Sequence, residues 1–345
     1  MKIRTMAKLA ICFSALAAPG ATSLAGSPSY VATDLGTLGG SESRANALND
    51  KGQVVGGSRT ANDVTHAFLW QKGLMSDLGT LGGQTSVANG INKHGEITGE
   101  AQTSYSGPDF GSIHAFRYEK GKMVDLGTLG GSGSSANAIN DKGEVVGYAV
   151  TAGGAFHAAL WSKKNQVVDL GTLGGSFSIA TGINGGGDVV GFSSTGDGSI
   201  HAFRWQDGVM TDIGTLGGGS SFANGINNEG EVVGVASTAG GSDHAFLWAN
   251  GVMTDLGTLP GDTSSQAISI NDTPLAVGVS LHGPSVAVLF DPVAHTVTAI
   301  STLVTNNVGI SYDTANAISA GGSIAGNGVK GNAERAFLLT PVAGK

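Results

Sequence analysis

Five histidines recur along the chain, each opening a His-Ala-Phe or His-Ala-Ala tripeptide. They are His66, His114, His157, His201 and His244. Imidazole is a common zinc ligand, but a zinc site needs several ligands close together, and no repeat holds a second histidine or a carboxylate at ligand spacing. We interpret the five histidines as structural residues that hydrogen-bond to the backbone or to an aspartate of the same repeat.

Six aspartates open a second recurring motif, Asp-Leu-Gly-Thr-Leu-Gly-Gly, in which Ile213 replaces Leu in the fifth copy and Pro260 replaces Gly in the sixth. They are Asp34, Asp77, Asp125, Asp169, Asp212 and Asp255. Carboxylates along one rim would suit calcium, but the Asp-x-Asp-x-Asp spacing of a calcium loop is missing. Because aspartate beside a turn commonly accepts backbone N–H bonds, we assign these residues a structural role. We expect neither a metal nor a cofactor.

The sequence contains no familiar catalytic constellation. It has no Gly-x-Ser-x-Gly turn, and its one cysteine, Cys12, lies near the N-terminus. Four acidic residues fall outside the repeat register, namely Glu100, Asp109, Asp197 and Asp243. We interpret them as solvated loop charges, which leaves the catalytic residues of any enzyme unknown and favours a non-enzymatic protein.

One loop is longer than its counterparts. Fourteen residues separate Gly99 from His114, whereas nine separate the corresponding residues in the four other repeats that carry the histidine. The extra residues include Tyr105, Asp109 and Phe110. Insertions in a single repeat often lie on the binding face, so we predict that these three residues contact a ligand. The alternative is an exposed loop that simply tolerates extra length.

The motifs recur with a period of 43 to 48 residues. Each aspartate motif is followed by an Asn-x-x-Gly turn, a Val-Val-Gly strand and the His-Ala-Phe segment. In the third repeat this order predicts strands over residues 135–139, 144–149, 157–161 and 167–170. Four short strands every ~43 residues are typical of propeller blades. We predict an all-β fold, a seven-bladed β-propeller of four-stranded repeats that start near residues 34, 77, 125, 169, 212, 255 and 299.

The composition agrees with a repeat protein of this kind. The 345 residues include 58 glycines but no glycine at every third position, which excludes collagen. A hydrophobic content of 40% argues against a disordered chain. We assign the glycines to tight turns, to the ends of the Val-Val-Gly strands, and to a Gly-Gly connection between neighbouring blades.

The two chain ends predict how the ring closes. Residues 30–35 match a fourth strand with no third strand before it, and residues 335–339 match a third strand with no fourth after it. Pairing them would leave no open sheet edge. We therefore expect residues 26–345 to form a single propeller domain closed by its N- and C-terminal strands.

Residues 1–25 have the layout of a secretory signal peptide. Three basic residues precede a ten-residue apolar stretch, which is too short to span a bilayer, and small residues precede the expected cleavage site. We predict an extracellular or periplasmic protein with no transmembrane segment in the mature chain. That chain would contain no cysteine and hence no disulfide. The net charge is already −8 before these basic residues are removed, so we expect no nucleic-acid partner.

The His-Ala-Phe segment, in fixed order with the other two motifs, resembles the bacterial extracellular HAF repeat family, which is named after that tripeptide. The resemblance covers essentially the whole chain after residue 25, although the last two repeats lack the histidine and the double glycine. It implies secretion and a repeat architecture, and it brings no activity or catalytic residue. The similarity to kelch propellers is architectural only.

Two functional hypotheses follow. The first is a secreted, non-enzymatic and monomeric binding or scaffold propeller that recognises a protein or glycan partner through one loop face. The alternative is a secreted propeller hydrolase or lyase that acts on polysaccharide. Two or three acidic residues from outside the repeat register that converge at the channel mouth would favour the enzyme, and a neutral rim of Gly, Ser and Thr would favour the binding protein.

Overall fold

The protein is all-β. The computed structural model describes residues 28–104, 111–281 and 283–342, and within these ranges the only helical segment is a 3-10 turn, η1, at Ile300–Thr302. Strands that are adjacent in sequence pair antiparallel within each repeat. The first strand of a repeat lies nearest the axis, where it contacts the first strands of the neighbouring repeats.

The first strand of the chain, β1 (Tyr30–Asp34), belongs to the last sheet, and the next twelve strands form three sheets of four. These twelve are β2 (Gly39–Leu48), β3 (Val54–Thr60), β4 (Thr65–Gln71) and β5 (Leu74–Asp77); β6 (Gly82–Ile91), β7 (Ile97–Thr103), β8 (Ile113–Glu119) and β9 (Lys122–Asp125); and β10 (Gly130–Ile139), β11 (Val145–Thr151), β12 (Phe156–Trp161) and β13 (Val167–Asp169).

The following eight strands form one continuous sheet. They are β14 (Gly174–Ile183), β15 (Val189–Thr195), β16 (Ile200–Gln206), β17 (Val209–Asp212), β18 (Gly217–Ile226), β19 (Val232–Thr238), β20 (Asp243–Ala249) and β21 (Val252–Gly257). The remaining strands complete two sheets of four, the second of which includes β1. They are β22 (Ser264–Ile270), β23 (Ala276–Leu281), β24 (Ser285–Asp291) and β25 (Thr296–Ala299); and β26 (Thr314–Ile318), β27 (Ile324–Lys330) and β28 (Ala333–Pro341).

The predicted count of seven blades is wrong. The described residues form five four-stranded blades and one sheet of eight strands. A parallel bridge between Ile200 and Ser220 joins β16 to β18 and so merges the strands of the fourth and fifth repeats. The sequence period does not reveal this merger, because the bridge is a contact between two different repeats.

The inner strands also begin earlier than the sequence predicts. In the third repeat β10 starts at Gly130 rather than at residue 135, so the Gly-Gly pair belongs to the strand and not to a connection. A Cβ on Gly131 would lie 2.5 Å from the carbonyl oxygen of Thr151. Glycine is therefore needed where the inner strand passes close to the end of β11.

The hydrophobic core lies between neighbouring repeats. One cluster combines Val146 and Ala158 of the third repeat with Ile183, Val189 and Phe203 of the fourth, all buried. The other clusters are built in the same way, with residues of two repeats in each. Both faces of the middle strands are consequently apolar, which explains why these strands show no polar alternation.

A serine in six of the seven inner strands ties its repeat to the preceding one. Between the third and fourth repeats the Ala158 N–H donates to Ser178 Oγ at 2.8 Å, and that hydroxyl donates to the carbonyl of Gly171 at 2.5 Å. The first of these bonds recurs at the other junctions that have the serine. A larger residue in place of the fully buried Ala158 would displace this contact.

The chain ends close the ring as predicted, because β1 pairs antiparallel with β28 over its whole length. The other edge of β1 is covered by residues 303–306. The Tyr30 N–H donates to the carbonyl of Leu303 at 2.9 Å, and the Asn306 carboxamide exchanges two hydrogen bonds with the backbone of Ala32. Burial here raises the pKa of Tyr30 to about 12. No open edge remains on this strand.

A glycine ends each Val-Val-Gly segment because the inner strand bulges toward it. In the fourth repeat the register shifts between Ala180 and Gly182. A Cβ on Gly191 would overlap the carbonyl oxygen of Ile179, and the equivalent glycine of every other repeat meets the same obstacle. The close approach of two backbones, rather than flexibility, requires glycine at this position.

Deletion of residues 29–35 tests the closing strand. The deletion exposes the edge of β28 and uncovers the core around Ile300. We expect the thermal midpoint to fall by roughly 10 °C or more, measured by calorimetry of the chain from residue 26 onward. Removal of residues 26–28 alone is the control and should change little. An unchanged midpoint after the longer deletion would contradict closure by β1.

The substitution Gly191→Ala tests the bulge. We expect the free energy of unfolding, measured with urea, to fall by about 1–3 kcal/mol because the added methyl group overlaps a backbone oxygen. The matched control is Gly219→Ala, where an added Cβ meets no atom within 4 Å. Equal losses for the two variants would refute the steric explanation.

Candidate functional site

The propeller has two faces that carry different loops. The turns between the first and second strands of each repeat and the hairpins between the third and fourth strands lie on one face, which we call the turn face. The loops between the second and third strands and the connections to the next repeat lie on the other, the loop face. This division follows from the antiparallel order of the strands.

A cavity of about 230 Å³ opens at the axis on the turn face. Every repeat contributes one buried polar residue to its wall, directly after a Leu or Ile that also lines it. These polar residues are Asn49, Asn92, Asn140, Asn184, Asn227, Asn271 and Ser319. The cavity is the channel mouth at which converging carboxylates would favour an enzyme.

Each asparagine organises its own turn and also holds the next repeat. The side-chain oxygen of Asn140 accepts the N–H groups of Lys142 and Glu144, both at 3.0 Å. Its amide donates to Glu144 Oε2 at 2.7 Å and to the carbonyl of Asn184 at 3.1 Å. The same donation to the following repeat occurs at the other five asparagines. The fold therefore uses these side chains, and a ligand would have to compete with it.

Three carboxylates, Asp50, Asp141 and Asp272, also line the mouth, together with Lys93. Asp141 accepts the N–H of Lys93 at 3.0 Å, and Asp50 accepts that of Ala320 at 2.8 Å. Partial burial opposes ionisation of Asp141, but hydrogen bonds from Lys93 and its charge outweigh burial and lower the pKa of this carboxyl. A glycosidase general acid needs a raised pKa, so Asp141 is shifted in the opposite direction.

The five repeat histidines each contact an aspartate on the adjacent fourth strand of the same blade. Nδ1 lies 2.6–2.8 Å from the nearest carboxylate oxygen. The partners, in chain order, are Asp77, Asp125, Asp169, Asp212 and Asp255. In the closing sheet Lys330 takes this place, with Nζ 2.8 Å from Asp34. Within the described residues, no group of three or more His, Cys, Asp or Glu is arranged to hold a metal ion.

The aspartates of these pairs also hold the following connection. Each accepts the N–H of the glycine two residues further on. At Asp125 partial burial opposes ionisation, but the hydrogen bonds from His114 and from the Gly127 N–H lower the pKa overall. The pairs thus fix the connection between repeats, which is a structural role for both residue types.

The acidic residues outside the repeat register do not converge. Glu100 lies in β7, Asp197 in the loop after β15, and Asp243 at the start of β20, so that each belongs to a different repeat. Asp243 accepts the hydroxyl of Ser237 at 2.7 Å, and Asp197 is exposed. The fourth acidic residue, Asp109, lies outside the described residues, as do the two other predicted ligand contacts, Tyr105 and Phe110.

Five aromatic residues of the third, fourth and fifth repeats form ring contacts, and we call them the aromatic strip: Tyr148, Phe156, Phe177, Phe192 and Phe222. Phe156 and Phe177 lie toward the loop-face ends of β12 and β14, and the other three lie mid-strand. Ring centroids are 5.6 Å apart for Tyr148 and Phe156, 6.5 Å for Phe177 and Phe192, and 5.1 Å for Phe192 and Phe222. Phe156 is 47% exposed and the other four are half-buried. The contact between Phe192 and Phe222 joins two repeats.

The repeat itself does not require these aromatic residues. Six of the ten phenylalanines in the described residues are fully buried in the core: Phe68, Phe116, Phe203, Phe246, Phe290 and Phe337. The remaining four all belong to the aromatic strip. Other repeats carry varied residues at the same positions, such as Thr65 or Ile113 in place of Phe156 and Gln266 or Val87 in place of Phe222. The strip is therefore an addition to the repeat.

Sequence reasoning missed the aromatic strip. Each member is a single departure from the repeat, and its neighbours in the strip lie many residues away in the chain. A position-by-position comparison of the repeats carries the signal, because tyrosine or phenylalanine follows Val-Val-Gly only in the third and fourth repeats.

A second, smaller cavity marks the equivalent position in the second repeat. Its volume is about 30 Å³, and Thr85, Val87, Glu100 and Ile113 are among the residues that line it. Burial, and in second place the negative charge of Glu100, raise the pKa of Tyr148. The cavity thus continues the aromatic strip toward the long loop, whose described ends also lie on the loop face.

No protein-family model matches the sequence, and no curated protein sequence matches it. Solved structures match by fold. YCF48 bound to D1 peptide aligns with a TM-score of 0.54 at 14% identity, covering 93% of this chain and 97% of that one. Puromycin hydrolase gives 0.54 at 12% identity, over 85% of this chain and 51% of that one. TolB from Acinetobacter baumannii gives 0.48 at 10% identity, over 84% of this chain and 64% of that one.

The chain therefore spans about half the length of puromycin hydrolase and less than two thirds of TolB. At these identities the two likenesses above a TM-score of 0.5 show the β-propeller fold and nothing finer. The chain is an all-β propeller.

The substitution Asn140→Ala tests the role of the buried asparagines that line the axial cavity. It leaves the buried carbonyl of Asn184 and two turn N–H groups without this partner, so we expect the free energy of unfolding to fall by about 2 kcal/mol or more. Asn140→Ser is the matched variant, because Ser319 fills this position in the last repeat and accepts the Ser323 N–H at 3.1 Å. A loss from serine as large as that from alanine would contradict the assigned role.

Proposed function

We propose that the protein is an exported, non-enzymatic binding or scaffold propeller that recognises a protein or glycan partner on its loop face. The observation that carries the proposal is the aromatic strip, with Phe156 the most exposed of its members. Aromatic side chains that the core does not need are enriched at binding surfaces. Phe156 and Phe177 of the strip lie toward the face that also bears the long loop of the second repeat, for which ligand contact was predicted independently.

The export part of the proposal rests on residues 1–25, which lie outside the described residues, and on the resemblance to HAF repeats, which implies secretion. None of the described residues forms a helix with the length and hydrophobicity that crossing a bilayer requires.

A peptide partner is compatible with this fold, since YCF48 was solved bound to D1 peptide. A polysaccharide hydrolase receives less support. The carboxylates at the channel mouth are engaged with neighbouring turns, and Glu100, Asp197 and Asp243 lie in three different repeats. Glycoside hydrolysis needs two carboxyl groups within about 10 Å of each other, one of them protonated.

The test replaces strip residues with those that other repeats carry. The variant Phe156→Thr, Phe177→Ser, Phe222→Gln borrows the residues of the first, fifth and sixth repeats, so it should fold. The chain from residue 26 onward is screened against a random dodecapeptide phage library and a glycan array. We expect the wild type to bind members of the phage library, of the glycan array or of both. We expect the variant to bind the same members about tenfold or more weakly.

The matched control is Val209→Ser with Val252→Ser, which removes exposed apolar side chains from the turn face and should leave binding unchanged. Tyr105→Ala with Phe110→Ala tests the long loop in the same assay and should weaken binding. If the wild type and the strip variant bind the same peptides and glycans equally well, the loop face is not the binding face. Strip-independent release of reducing ends from a polysaccharide would favour the hydrolase instead.

A further inference from the structure

The cations of the middle repeats all lie on the turn face. Between residues 82 and 299 the Lys and Arg residues are Lys93, Arg117, Lys120, Lys122, Lys142, Lys163, Lys164 and Arg204. The lysines lie in the turns after inner strands or in and beside the hairpins. The two arginines bond to groups of those same turns and hairpins. The loop face of these repeats therefore has no Lys or Arg, because residues 105–110 and 282 include none either.

Carboxylates remain on that face without matching cations. Besides the histidine-paired aspartates, those among the described residues are Glu100, Asp197, Asp243 and Asp262. The first and last repeats differ, since Arg44 lies 2.5 Å from Glu334 and other arginine and lysine side chains there are also paired. The uncompensated negative charge thus lies on the repeats that carry the aromatic strip.

Glu100 is the member of this group that lies beside the aromatic strip. It is half-buried, it lines the 30 Å³ cavity, and its charge acts on Tyr148 at the end of the aromatic strip. Among the residues that the structure describes, none donates a hydrogen bond or forms an ion pair with its carboxylate. Withdrawal of a carboxylate from water costs free energy unless a donor or cation compensates. A cation from a partner would supply that compensation.

The ring geometry favours a protein over a glycan. The contacting rings of the strip are inclined to each other by 59°, 75° and 64°. A sugar ring stacks on a flat aromatic surface, which rings at these angles do not form together. Apolar side chains fit between inclined rings, and an Arg or Lys side chain is attracted to an exposed ring face.

We propose that the loop face binds a protein segment that combines large apolar or aromatic side chains with Arg or Lys, with the apolar side chains on the aromatic strip and a cation at Glu100. This inference rests on the proposed binding function and specifies its partner. It requires both features in one ligand, because the strip and the unpaired carboxylate are neighbours on the same surface.

The test uses the dodecapeptide phage library on the wild-type chain. Selected sequences should be enriched in Arg or Lys together with aromatic residues, compared with the unselected library. An enriched peptide, labelled and measured by fluorescence anisotropy, should bind Glu100→Gln about fivefold or more weakly than the wild type, and should weaken as salt is raised. The matched control is Asp207→Asn, which removes the same charge from a turn-face hairpin and should leave the affinity unchanged.

Three outcomes would overturn the inference. If the selected peptides do not differ from the library in charge but the strip variant still fails to bind them, the partner class is wrong and the binding function stands. Strip-dependent retention of glycans alone would likewise reject the protein partner and leave the binding function in place. If the strip variant binds every peptide and glycan as tightly as the wild type, both the protein partner and the proposed binding function are rejected.

Discussion

The hydrogen bond from each axial asparagine to the carbonyl of the next repeat is the interaction on which the rest of the structure depends. It is buried, and the same side chain closes the turn of its own repeat, so position and spacing are set together. A buried amide without these partners would be costly. The regular spacing lets the valine and phenylalanine side chains of one repeat pack against small residues of the preceding one.

This packing limits where a function can reside. The middle strands are buried on both faces, the bulge admits only glycine, and the axial amides are already bonded. The positions left open are those at the loop-face ends of the strands, where the repeats differ from one another. At such ends the chain carries Phe156 and Phe177, where the first and fifth repeats carry Thr65 and Ser220. Differences of this kind between repeats are what a binding surface on a repeat scaffold requires.

The closure of the ring and the candidate binding surface occupy different sectors. Where β1 meets β28, charged side chains are paired across the junction, as between Lys330 and Asp34 or Arg44 and Glu334. In the middle repeats the loop face has carboxylates and aromatic rings but no Lys or Arg. The charged side chains at the junction pair with each other. In the middle repeats, by contrast, the Glu100 carboxylate has no hydrogen-bond donor or ion-pair partner among the described residues.

The sequence alone determined the all-β class, the repeat period and the pairing of the two chain ends, because each depends on spacing along the chain. It also suggested aspartate as a partner for His66 and its equivalents, and the structure forms those contacts. It miscounted the blades and started the inner strands too late, since the bridge at Ile200 and the close approach at Gly131 are contacts between strands. The aromatic strip and the cation-free loop face were decided only by the tertiary structure, because packing between repeats brings together residues that lie far apart in the chain.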